Sequence, residues 1–181
     1  MKIGVLTSSI RDGRQSIEVA NWVLKLAKER NEQDVEYELI DIKDFNLPMF
    51  GDNVTEADQA NIAKFSEKMN AQDGFVFTVA EYNHGVTGVL KNALDFLKPE
   101  VANKVAGFVG YGGVGGARAI EQMRSITGEL SLAGVQRNVN LFLSADFENF
   151  SVFKPGDFQK QPLNEMLDQM LLWGRALKTI R

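Results

Sequence analysis

Ala80-Glu81-Tyr82-Asn83-His84-Gly85-Val86-Thr87-Gly88-Val89-Leu90-Lys91-Asn92-Ala93-Leu94-Asp95 is the stretch whose reading decides the fold. It follows an apolar run, Gly74 to Val79, with the length and composition of a buried strand. It leads into a helical pattern that sets Leu90, Ala93, Leu94 and Leu97 on one face. Glu81-Tyr82-Asn83-His84-Gly85 is therefore expected to form a strand-to-helix loop. In open α/β sheets that edge is where ligands bind. The loop offers an aromatic ring, a carboxamide, a carboxylate and a glycine that exposes backbone amides, a set suited to a planar heterocycle.

The opening of the chain makes a second such loop. Lys2 to Thr7 reads as a strand, followed by Ser8-Ser9-Ile10-Arg11-Asp12-Gly13-Arg14-Gln15-Ser16. From about Gln15, Val19, Trp22, Val23 and Leu26 recur at helical spacing. A hydroxyl-rich turn at a helix N-terminus favours phosphate through its free N–H groups and the positive end of the dipole. Ser8, Ser9 and Ser16 add hydroxyls, and Arg11 and Arg14 add charge with bidentate capacity. The blander alternative is an ordinary cap beside two solvated arginines. No Gly-x-x-x-x-Gly-Lys phosphate loop is present.

The remaining chain continues the strand–helix rhythm. Val35 to Asp41 alternates as a strand, a longer connection runs from Lys43 to Asp58, and Gln59 to Met69 reads as a helix. Lys104 to Val109 is a further strand. The glycine-rich turn Gly110 to Gly116 leads to a helix from about Ala117 to Leu132. Asn138 to Leu143 forms the fifth strand, and a loop carrying Asp146, Phe147, Phe150 and Phe153 precedes a last helix, about Leu163 to Lys178. Five strands alternating with five helices predict a doubly wound parallel sheet with helices on both faces. The order 2-1-3-4-5 places the two informative loops at the switch point. A single domain over residues 1–181 is expected, without linker or repeat.

Composition bounds the function. The 181 residues are 44% hydrophobic, enough for a sizeable core. A net charge of −4 without a basic block argues against a nucleic-acid partner. The absence of cysteine excludes disulfides, thiolate catalysis and cysteine-ligated metals, and fits a cytoplasmic protein. No signal peptide and no membrane span of about 20 residues is read.

Thr7-Ser8-Ser9-Ile10-Arg11 with Arg14, Glu81-Tyr82-Asn83 with Gly88-Val89-Leu90-Lys91-Asn92-Ala93-Leu94-Asp95, and Tyr111-Gly112-Gly113 with Gly116 and Arg118 resemble the NADPH-dependent FMN reductases. This flavodoxin-like group includes azo-, chromate- and quinone-reducing enzymes. The resemblance runs from Lys2 to about Leu143; Ala80 departs from it, since the family usually has proline there, which is expected to loosen the loop. It implies a flavodoxin-like five-stranded fold, FMN as cofactor, and NADPH or NADH as hydride donor to a small-molecule acceptor: a quinone, azo compound, flavin or oxidised metal anion. Ser8, Ser9, Arg11, Arg14, Gln15 and Ser16 would hold the phosphate. Glu81, Tyr82, Asn83, His84 and Gly85 would line the isoalloxazine edge, and Tyr111, Gly112 and Gly113 the side of N1 and O2. Backbone N–H groups there would stabilise the negative charge of reduced flavin. No catalytic side chain and no metal is needed.

Other readings stay in view. A flavodoxin-like electron carrier without its own NAD(P)H activity is the alternative; Arg11 and Arg14 and the mild acidity argue against it. An ester hydrolase using Ser8 or Ser9 with His84 lacks the Gly-x-Ser-x-Gly elbow. Gly110, Gly112 and Gly115 match the dinucleotide fingerprint, but after the fourth strand and without the following acidic residue. His84 reads as a pocket wall or surface residue. Lys91 and Asp95 read as an exposed ion pair, or Lys91-Asn92 as facing a neighbouring subunit. The Met166 to Leu172 stripe reads as core, and Glu121, Arg124 and Glu129 as a solvated face. Leu47-Pro48-Met49-Phe50 and Phe147, Phe150 and Phe153 are expected as exposed apolar patches that pair subunits into a homodimer or homotetramer.

Overall fold

The computed structural model describes all of residues 1–181. Its centre is a parallel sheet of β1 (Lys2–Leu6), β2 (Glu36–Ile40), β3 (Gly74–Tyr82), β5 (Val105–Gly112) and β6 (Ala133–Phe142), in the order β2-β1-β3-β5-β6. This is the order read from the sequence. A two-residue strand, β4 (Gly85–Val86), runs antiparallel beside the end of β3. Register ties Leu6 to both Ile40 and Phe77, and Ala80 to Tyr111, so all site loops leave one edge.

Strand alternation sorts side chains into two layers. Val5, Val76, Val105, Val109 and Val139 pack under α1 (Ser16–Glu29) and α6 (Lys160–Leu177). Leu6, Phe75, Phe77, Val79 and Phe108 pack under α2 (Glu56–Asn70), α3 (Gly88–Asp95) and α4 (Ala117–Glu129). Met166, Leu167, Met170 and Leu171 are core, as their spacing predicts, whereas Leu172 is exposed.

Several boundaries move, each for a local reason. Gln15 is the cap of α1, not its first residue. α2 begins at Glu56 because Thr55 and Asp58 close a capping box. β5 extends to Gly112 and β6 starts five residues earlier than expected, at Ala133. After β6 a helical turn, α5 (Leu143–Asp146), leads into a small hairpin of β7 (Phe147–Glu148) and β8 (Val152–Phe153). That hairpin turns Phe147 and Phe153 inward against each other and against Trp22; of the three aromatics only Phe150 is exposed.

Arg124 is not on a solvated face. Its guanidinium lies 5.1 Å from the Phe108 ring centre and donates to the carbonyls of Val135 and Gln136. A long side chain can cover apolar surface while its head finds partners.

Candidate cofactor site

The loop from Thr7 to Gln15 connects β1 to α1. Thr7, Ser8, Ser9 and Ser16 are all buried. Ser8 Oγ accepts the Ala80 N–H at 3.0 Å, and Ser16 Oγ donates to the Ser9 carbonyl at 3.3 Å. Ala80 is fully buried and paired with Tyr111 in the sheet. The expected loosening at Ala80 is therefore not found: alanine brings an N–H, and Ser8 accepts it.

The N-terminus of α1 has no side-chain cap. Its first-turn N–H groups are left without intrahelical partners, as in any helix start. Arg14 is more deeply placed than a solvated arginine. Its Nη2 pairs with Asp41, and both side chains are about nine-tenths buried. Its Nε is sealed from solvent with no acceptor. Arg11 is exposed, has no carboxylate partner, and rests 5.6 Å over the Tyr82 ring.

The second loop differs from its expected form. Glu81 and Tyr82 remain in β3 and pair with Val86 and Gly85 of β4, so Asn83 and His84 form the two-residue turn of a hairpin. Both have positive φ, 49° and 66°, the geometry of a type I′ turn. Helix α4 holds this hairpin with two side chains one turn apart. Gln122 donates to the His84 carbonyl at 3.2 Å and accepts the Val86 N–H at 3.1 Å. Arg118 binds the Glu81 carboxylate through Nε at 2.7 Å and through its backbone N–H at 3.1 Å. Arg118 Nη1 also meets His84 Nε2 at 2.8 Å. Glu81 thus caps α4 and braces the hairpin; its carboxylate is not free to grip a ring. Tyr82, Asn83 and His84 are exposed.

The third loop is the glycine turn between β5 and α4. A Cβ at Gly116, whose φ is +72°, would lie 2.5 Å from the Tyr111 nitrogen, so the turn closes only with glycine. Gly113 is exposed and open. Tyr111 directs its ring into the core beside Phe147, and burial raises its phenol above the ordinary value.

The first two loops meet. Tyr82 Oη lies 3.4 Å from Ser9 Oγ, and Thr87 Oγ1 donates to the Ser8 carbonyl while it caps α3. Sequence reasoning passed over Thr87, Gln122 and Asp41. Thr87 was readable as a helix start, and Gln122 as the residue four beyond Arg118 on one face. Asp41 carries no short-range signal.

The donor set suits a phosphorylated, planar, mononucleotide-like group: hydroxyls and an uncapped helix start at one end, an unsatisfied guanidinium beneath, exposed backbone at the other. A surface groove of about 690 Å³, lined by Ala27, Lys28, Glu32 and Tyr37, lies elsewhere, at the C-terminus of α1. The negative end of a helix dipole is the wrong place for phosphate. No cluster of metal-ligating side chains is found.

A doubly wound α/β domain with a hydroxyl- and arginine-rich loop at its switch point defines a nucleotide-cofactor protein of flavodoxin-like type. The chain belongs to the NADPH-dependent FMN reductase family, whose profile matches residues 1–146. It is 30% identical over 164 residues to the NAD(P)H-dependent FMN reductase ntnL of a Nectria species, spanning 86% of this chain and 82% of that one. It is 25% identical over 190 aligned positions to the quinone reductase of Escherichia coli, spanning 100% and 97%. Among solved structures it superposes on FerB, a flavoenzyme NAD(P)H:(acceptor) oxidoreductase from Paracoccus denitrificans, with a TM-score of 0.72 at 18% identity over 94% and 97% of the chains. The last of these speaks to the fold alone.

Proposed function

We propose that the chain is an FMN-dependent NAD(P)H oxidoreductase that reduces small flat acceptors such as quinones. The observation that carries this reading is the uncapped start of α1 beside the buried, incompletely bonded Arg14 and the free Arg11. Ser8, Ser9, Arg14, Gln15 and Ser16 frame the phosphate end, with Arg11 swinging from Tyr82 to complete it. Tyr82, Asn83, His84 and Gly85 line one edge of the ring, and the backbone of Tyr111, Gly112 and Gly113 the other. FMN would supply the two-electron chemistry between NAD(P)H and acceptor. The protein's part is to bind the ring, to present N–H groups where negative charge develops, and to exclude water. FMN fits better than FAD because one phosphate loop is present and no second pyrophosphate motif exists.

In this reading residues 1–181 act as one domain, without nucleic acid or membrane. No helix is long and apolar enough to cross a membrane. The supply of NAD(P)H and the cysteine-free composition support a cytoplasmic location. Exposed Met49 and Phe50 support a homodimer or homotetramer.

Cofactor released by heat should chromatograph as FMN; FAD in that peak, or no flavin after reconstitution, would sink the proposal. NAD(P)H oxidation with a quinone separates it from a passive electron carrier, against which the unpaired Arg11 already argues.

A further inference from the structure

We infer that Asp41 is a positioning residue for the phosphate end of the site, acting through Arg14. The inference rests on the flavin reading above and adds a residue that touches no cofactor atom. Asp41 stands just past β2 and caps the 3-10 turn Ile42–Phe45, accepting the Lys43 N–H at 3.1 Å. The Thr7 hydroxyl, at the end of β1, donates to Asp41 Oδ1 at 2.9 Å. Thr7 Oγ1 in turn accepts the Ile42 N–H at 3.1 Å. The carboxylate is therefore fixed by β1 and by its own turn before Arg14 is considered.

Its other oxygen takes one nitrogen of Arg14, Nη2. That bond uses a small part of the guanidinium's donor fork. Nε has no acceptor although it is sealed from water, and no protein group is bonded to Nη1. Arginine–carboxylate pairs are frequently bidentate, a fork on a fork. Here the contact is one-sided, which orients the guanidinium and leaves donors for a second anion. Ser9 and Ser16, also buried, lie in the same loop as Arg14. Beside Asp41 stand Arg14 and, in its own turn, Asp44 and Lys43, whose ammonium is turned to Asp12 at 3.2 Å.

The test compares FMN with riboflavin, which has the same ring and ribityl chain but no phosphate. Apo-protein is titrated with each, by fluorescence quenching, for wild type, Asp41→Asn, Asp41→Glu and Thr7→Val. Loss of one oriented charge-assisted contact should raise the FMN dissociation constant about tenfold in Asp41→Asn. The riboflavin constant should change less than about twofold, because the ring contacts are untouched. Asp41→Glu should recover part of the FMN affinity. Thr7→Val, which keeps the charge and removes its anchor, should move FMN alone in the same direction by about threefold and serves if Asp41→Asn does not fold. Equal weakening of both flavins would reduce Asp41 to a structural role, and an unchanged FMN constant would remove even that; either overturns the inference. Wild-type protein that binds neither flavin would instead overturn the flavin reading, and this inference with it.

Discussion

Arg118 grips Glu81 from two directions, its backbone N–H on Oε2 and its guanidinium on Oε1. Glu81 is almost wholly buried, at 4% side-chain exposure, while Arg118 is 42% exposed. The pair thus joins the end of β3 to the start of α4 across the mouth of the site. Arg118→Ala leaves a buried carboxylate with only a backbone donor, at a cost of about 1–3 kcal/mol. For a chain of this length each kcal/mol lowers the melting temperature by roughly 2–4 °C. Amide exchange at Tyr82 to Val86 should quicken more than exchange in β1. Unaltered hairpin protection would show that Gln122 alone holds it.

Arg11 has no carboxylate partner to give up on binding an anion. It has no ion pair and rests over Tyr82. Arg11→Ala should leave the unfolding midpoint within experimental error. It should weaken FMN by roughly ten- to a hundredfold, the worth of a charge-assisted hydrogen bond of about 1.5–3 kcal/mol. An unchanged dissociation constant would return Arg11 to solvent.

The sheet order was legible because each buried strand is a short apolar run bounded by polar or glycine-rich turns, and parallel crossovers admit few alternatives. The loop between β1 and α1 was legible as a hydroxyl- and arginine-rich turn before a helix, and the structure buries its hydroxyls beside an uncapped helix start. The hairpin at Asn83-His84 was not. Its turn lacks the glycine that marks a type I′ turn, and the geometry is imposed from α4 by Gln122 and Arg118. Arg14 was read as solvated or phosphate-bound, because its partner Asp41 lies 27 positions away, just past the next strand. Tertiary contacts of that range leave no local pattern.

Gly116 sets the third loop. With φ at +72° and its Cβ position 2.5 Å from backbone, Gly116→Ala cannot be relieved by a rotamer change. It should destabilise the protein by about 1–3 kcal/mol and raise the FMN dissociation constant, as the turn shifts away from β5. Gly128→Ala, at an open position of ordinary φ near the far end of α4, is the control and should do neither. Equal effects of the two would refute the role given to the turn.

Met49 and Phe50 are exposed at 64% and 56%, yet they are held still. The Asn92 side chain donates to the Pro48 carbonyl and accepts the Phe50 N–H, both at 2.8 Å. Phe50 also meets Phe96 edge-on at 5.2 Å. An ordered apolar patch costs little entropy to bury against another chain. Sedimentation at micromolar concentration should give a dimer or tetramer, and Phe50→Asp should shift it toward the single chain. A wild-type monomer with full NAD(P)H:quinone activity would exclude a shared site.

Stability should rise with pH above neutrality. Lys104 is 5% exposed, and burial pushes its ammonium down from 10.5 to about 8. It donates to the carbonyls of Met69 and Asn70 at the end of α2, at 3.1 and 2.7 Å. Between pH 8 and 10.5 the unfolded chain binds this proton and the folded chain does not, so the folded state gains as pH increases, by up to about 3 kcal/mol. Tyr37 and Tyr111 act in the opposite sense: burial raises both phenols, so above pH 10 the unfolded chain loses protons that the folded chain keeps. The two effects place the maximum between about pH 9 and 10. Urea midpoints from pH 7 to 11 would trace it. Lys104→Met, which removes the buried charge together with its two carbonyl contacts, should show no rise between pH 7 and 9.5. A variant with the wild-type slope would assign the rise to another group.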